Sequence, residues 1–265
     1  GQRNPTPPLL GIAILFMLLF PPFISAMQLG QIGMLTGLLL LFAAHLVVRR
    51  ASPVWIGLLI ALASAKPQLL VLPVLGLLWY VWHKQGRTRA LQTMLATVAW
   101  GLLLTLPLWV YHPDWISGFL DAQTRRGIWS QPSAFVLLPL YLGGVGVALW
   151  GMLALALVAI SFWSWRRLPP EDAFVWSLAL NLLITPYVWS WDFVLLAPLF
   201  VHTLFIRQRR LLRIALLVGY MAIWYVMVTQ RLTTSNEDSL YWWLPWAMVG
   251  LILTLRWLNR PAALG

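Results

Sequence analysis

Ten apolar runs joined by short connections leave this 265-residue chain almost no segment suited to water. They fall near 9–24, 31–48, 53–65, 67–83, 90–110, 134–162, 172–188, 192–206, 211–229 and 241–257. A helix crosses the hydrocarbon core of a bilayer with about 20 apolar residues. The runs therefore predict an all-α, polytopic transmembrane helical bundle of about ten membrane segments. Two runs, 53–65 and 192–206, are short, which fits helices whose ends meet protein rather than lipid. Composition agrees: 61% of residues are hydrophobic and 9% charged, against roughly 25% charged in soluble domains. A soluble enzyme, a disordered tail and a DNA-binding domain are all poor fits to this composition. No long hydrophilic stretch divides the chain and no internal repeat stands out, so residues 1–265 read as a single transmembrane domain.

Charge orients the bundle. Arg3, Arg49, Arg50, Lys84, Arg87, Arg89, Arg166, Arg167, Arg207, Arg209, Arg210, Arg213, Arg256 and Arg260 all fall on alternate connections or at the termini. The intervening connections hold Lys66, Arg125, Arg126 and Arg231, together with Asp114, Asp121, Asp192, Glu237 and Asp238. Cytoplasmic loops carry the Lys/Arg excess, so the Arg-rich face and both termini are expected in the cytoplasm and any chemistry on the outer face. The net charge of +11 is read in the same way, not as a nucleic-acid footprint. There is no Cys, no phosphate-cradling Gly-rich loop and no dinucleotide fingerprint. The four His, at 45, 83, 112 and 202, are scattered, so neither a metal nor a cofactor is expected.

The outer connections carry the candidate residues. Lys66 lies between two apolar runs on the side that disfavours cations, and a charge near hydrocarbon costs at least ~2.5 kcal/mol unless it snorkels or is paired. Pro67 ends the preceding helix and suits the first turn of the next, which places Lys66 at a helix junction. Two readings stay open: a cation for a phosphate or carboxylate, and a snorkelling anchor. Asp192 mirrors it, and its readings are a helix cap, a partner for Lys66 and a contact to a substrate hydroxyl. The stretch 111–133 places Trp115, Ile116, Phe119 and Leu120 at helical spacing apart from Asp114, Asp121, Arg125 and Arg126. It reads as a helix lying at the headgroups or as a lid whose Arg125 and Arg126 grip a lipid phosphate. Outer tryptophans, Trp189 and Trp191 among them, read as an interface belt or as sugar-stacking surfaces.

Three motifs then stand in order: Gly30-Gln31-Ile32-Gly33-Met34-Leu35-Thr36, Ala65-Lys66-Pro67-Gln68-Leu69-Leu70, and Thr185-Pro186-Tyr187 leading to Trp191-Asp192-Phe193-Val194-Leu195-Leu196. Together they resemble glycosyltransferase family 87, membrane enzymes of the C-type glycosyltransferase superfamily, with Trp191 where that family has Tyr. The resemblance covers about residues 20–205. It implies transfer of a hexose, mannose-like, from a polyprenyl-phosphate carrier to an envelope glycan or glycolipid on the outer leaflet of a bacterial inner membrane. It further implies Lys66 as the donor-phosphate cation, assisted by Arg125 or Arg126. Gln31, Gln68, Tyr187 and Trp191 would bind substrate. The family's catalytic Asp precedes the GQ stretch, where this sequence has no acid. The expectation is therefore either an upstream segment carrying it or a relocated base, Asp192 first and Asp121 second.

Two other readings compete: a lipid or solute transporter, and a non-catalytic membrane scaffold. A cavity opening to the outer face and closed to the cytoplasm is expected of the transferase; a path reaching both faces would favour transport.

Overall fold

The computed structural model describes residues 7–125, 131–205, 210–233 and 238–258, and every regular element among them is helical. The order is α1 (Pro7–Leu18), α2 (Pro21–Gln28), α3 (Gly33–Val48), α4 (Pro53–Ala63), a 3₁₀ turn Pro67–Leu69, α5 (Val71–Lys84), α6 (Arg87–Tyr111), α7 (Trp115–Arg125) and α8 (Ala134–Arg167). There follow α9 (Pro170–Ile184), a 3₁₀ stretch Ser190–Leu196, α10 (Ala197–Phe205), α11 (Arg210–Thr233), a 3₁₀ turn Asp238–Tyr241 and α12 (Trp243–Leu258).

Local chemistry sets these boundaries. Ser52 caps α4 by accepting from the Val54 N–H at 3.3 Å, with Pro53 at the first helical position, where its missing N–H is not needed. Ser133 does the same for α8 through Val136 N–H. Between α5 and α6 the chain passes through Gly86 at φ 110°, a conformation that side chains oppose.

The ten-crossing expectation is not met. Three helices, α6, α8 and α11, are long and apolar enough to cross a membrane. A fourth crossing is possible if Leu10–Leu18 and Pro21–Gln28, bent by 57°, act as one broken span. The reason is that hydropathy measures burial, not helix length. The run 67–83 is interrupted by its 3₁₀ turn, and 192–206 is 3₁₀ as far as Leu196. Helix α9 is buried at every position from Ala173 to Ile184, so its all-round apolar sequence faces protein. The run 134–162 likewise is not one straight rod. A 34-residue helix would measure about 51 Å, and α8 breaks at Gly143 (φ 57°). By contrast α6 exposes Leu95, Val98, Leu102 and Val110, a surface that water does not tolerate and lipid does.

Helix α9 is the axis on which α5, α8, α10 and α12 pack. Helix α4 lies close along α6 because Gly57 admits it; a Cβ there would sit 2.7 Å from the Thr97 amide nitrogen. At one end of the bundle Gln85 bonds to the Val47 carbonyl and Arg89 to that of Ala51, while Arg166 stacks on Trp79. The connections that hold Arg49, Arg89 and Arg166 are therefore gathered together. Lys66, Asp192 and Asp238 meet at the opposite end.

Candidate functional site

Three separate breaks in helical structure build the site. The first follows α2. Gly30 adopts φ +60°, its N–H bonds to the Met27 carbonyl and that of Gln31 to Ala26. This left-handed glycine cap closes one helix and reverses the chain, so that Gln31 and Gly33 stand at the start of α3. The second break is at Lys66, whose φ −127° and ψ 75° lie outside the α region that a following proline disfavours. Asn181 of α9 and Thr185 just after it donate from their side chains to the Gln68 carbonyl at 2.9 and 3.1 Å, and the Asn181 side-chain Oδ1 accepts from the Leu72 N–H. The third break is the 3₁₀ stretch that opens at Ser190. There the Asp192 Oδ2 accepts from the Trp189 N–H at 3.3 Å, while the Asp192 N–H bonds to the Trp189 carbonyl.

These breaks converge on one ion pair. Lys66 Nζ lies 2.6 Å from Asp192 Oδ1, and Gln31 Oε1 is 3.5 Å from the same nitrogen. The Asp192 side chain is 0% exposed and that of Lys66 12%. Of the readings open for Asp192, the cap and the Lys66 partner both hold, one through each oxygen. Gly33 explains the close approach: a Cβ there would stand 2.6 Å from Asp192 Oδ1 and 3.6 Å from Lys66 Nζ. One turn on, a Cβ at Gly37 would collide with Leu195.

Tyr187 meets Trp189 edge-on at 6.1 Å, and Trp189 and Trp191 stack at 5.0 Å with 13° between their planes. The Trp191 indole nitrogen is buried without a hydrogen-bond partner among the described residues. Gln68 contributes its carbonyl to holding the turn, and its side chain is half-buried. Asp121 stands exposed on α7, whereas the hydrogen bonds that hold Asp192 come from Lys66 and Trp189. Arg125 ends α7; its side chain and all of Arg126 lie outside the described residues.

Residues that sequence reading did not single out complete the cluster. Asp238 accepts from the Ser190 N–H at 2.7 Å and from its hydroxyl. Burial pushes the Asp238 carboxyl above its ordinary value, against the pull of the Ser190 bonds and of Arg231, and the Asp192 charge adds to the rise. Nothing local in the sequence joins residues 48 apart. Asn181 carried a legible signal, a lone amide within an otherwise apolar run, which requires a partner when buried.

The cavity runs against expectation. A space of about 370 Å³ lies at the arginine-rich end, lined by Leu41, His45, Leu77, Phe174, His202 and Phe205. At the Lys66–Asp192 end the carboxylate is fully buried and the ammonium retains 12% exposure, with Gly33 of α3 directly against the carboxylate.

Three helices long and apolar enough to cross a membrane, with a part-buried cation–carboxylate pair at a junction of broken helices, are the features of a helical membrane protein. The model of glycosyltransferase family 87 matches residues 2–198, and the chain belongs to that family. It is accordingly a membrane glycosyltransferase acting between a sugar donor and an acceptor. The match contains all three motifs and ends before α11, α12 and Asp238. No curated protein and no solved structure matches the chain.

Proposed function

We propose that the protein transfers a mannose-like hexose from a polyprenyl-phosphate carrier to an envelope glycan or glycolipid, at the end of the bundle that holds Lys66. The observation that carries this reading is the meeting of positions 31, 66 and 192, from three distant motifs, around a single ammonium group. In the transfer, the bond between the anomeric carbon and the phosphate oxygen breaks and its electrons leave with the phosphate. A fixed cation in a low-dielectric site stabilises that charge as it develops. Lys66 is that cation, with Arg125 or Arg126 assisting at the headgroup level.

The ion pair supplies the proton acceptor as well. When the donor phosphate arrives, Lys66 exchanges Asp192 Oδ1 for a phosphate oxygen, and the freed carboxylate takes the proton of the attacking hydroxyl. Asp192 is preferred over Asp121 for this step because it already touches Lys66. Gln31, which lies beside the ammonium, and Gln68 hydrogen-bond phosphate or sugar hydroxyls. The unpartnered Trp191 N–H offers a donor to a sugar hydroxyl, with Tyr187 bordering the aromatic stack. Charge asymmetry supports placing this end outside and the arginine-rich end, with both termini, in the cytoplasm.

The test uses the full chain in proteoliposomes with labelled hexose on either a polyprenyl phosphate or a nucleoside diphosphate. Transfer from the lipid carrier alone is expected. Transfer from the nucleotide sugar with none from the lipid carrier would overturn the reading.

A further inference from the structure

The proposed exchange makes a mechanical demand. Asp192 must hold its place while Lys66 leaves it, so the turn that carries Asp192 needs an anchor that does not depend on Lys66. Two neighbouring positions in that turn are fixed from different directions. The Asp192 carboxylate ties back to the Trp189 N–H. Two residues before Asp192, Ser190 is 5% exposed and is held at both its N–H and its hydroxyl by the Asp238 carboxylate. The Ser190 N–H belongs to the first turn of its 3₁₀ stretch, where backbone donors lack partners within the helix. A carboxylate that takes this N–H and the side-chain hydroxyl together restrains the turn at two points.

We infer that Asp238 is a positioning residue of the Lys66–Asp192 pair, acting through Ser190 to fix the turn that aims Asp192 at Lys66. Asp238 opens the 3₁₀ turn Asp238–Tyr241 that precedes α12, outside the family match over residues 2–198. The clamp therefore ties the family's site to the last two helices of the chain. It also holds against electrostatics: Asp238 and Asp192 repel each other, and the Ser190 bonds and the Arg231 charge offset that repulsion. This inference rests on the reading of Lys66 as the phosphate cation for its meaning, but not for its measurement.

The chain has two lysines, Lys66 and Lys84, and Lys84 is exposed at the far end of α5. Acetylation of the full chain in detergent by an amine-acylating reagent, followed by peptide mass spectrometry, therefore gives a Lys66-to-Lys84 labelling ratio with an internal control. Asp238→Ala is expected to raise that ratio roughly tenfold, mid-range for residues coupled in one hydrogen-bond network. Ser190→Ala removes one of the two bonds and is expected to raise it about threefold. Asp238→Asn keeps an acceptor for the N–H and an amide that can donate to the hydroxyl oxygen, so it stays within about twofold of the parent. The inference is overturned if Asp238→Ala leaves the ratio unchanged, or lowers the unfolding midpoint without moving it. It is equally overturned if Asp238→Asn labels like Asp238→Ala. Should Asp238→Ala fail to fold, Ser190→Ala decides by the same ratio. No sugar enters this measurement, so a failed transfer assay and a failed clamp are separate results.

Discussion

Asp192→Ala is expected to lower the stability of the bundle by roughly 3 kcal/mol, the lower part of the range for removing one partner of a buried ion pair. The lower part applies because Lys66 keeps 12% of its side chain exposed and can move its ammonium toward water. Two further losses act in the same direction: the Trp189 N–H forfeits its carboxylate partner, and the ammonium is left with the Gln31 side-chain oxygen at 3.5 Å as its hydrogen-bond partner among the described residues. Asp192→Asn retains an acceptor for one of those contacts and should cost less than half as much. Thermal unfolding of the two variants in one detergent checks the order. Equal stability of Asp192→Ala and the parent would show that the pair contributes nothing to the fold.

Gly33→Ala is expected to act on chemistry more than on folding. Its new Cβ would stand 2.6 Å from Asp192 Oδ1, so the carboxylate or α3 must shift by several tenths of an ångström. Overpacking of this kind costs about 1–3 kcal/mol. Moving a reacting group by about 1 Å can cost 10²-fold in rate, and a loss of that order is expected in sugar transfer. Gly101→Ala is the control: nothing lies within 4 Å of a Cβ there, and alanine in an exposed helix is favoured by up to ~1 kcal/mol. Comparing kcat/KM of the two glycine variants against the parent isolates the Gly33 contact.

Lys66 and Asp192 were legible from sequence because a charge bounded by apolar runs needs a reason, and each had the other to supply it. Pro67 disclosed the junction, and the GQ-G stretch disclosed a turn; that Gly33 exists to admit a carboxylate required the structure. The meeting of the connections that hold Arg49, Arg89 and Arg166 agrees with their alternation in the sequence. The number of crossings did not follow, since α9 is as apolar as a lipid-facing helix yet is buried by protein along its length. Nor did the Ser190–Asp238 clamp, whose members are 48 residues apart and share no local pattern. The cavity at the arginine-rich end was unforeseen for a similar reason: it is walled by helices whose sequences record only that they are buried.

The most direct test is hexose transfer from a polyprenyl-phosphate donor by Lys66→Ala, alongside Lys66→Arg and the parent, in matched proteoliposomes. With a folded protein verified by its unfolding midpoint, Lys66→Ala is expected to lose transfer by about 10²–10³-fold, the magnitude for removing one group that stabilises a developing anion, while Lys66→Arg retains part of the rate. Transfer by folded Lys66→Ala at the parent's rate would contradict the account, because the buried ammonium would then have no part in the departure of the phosphate.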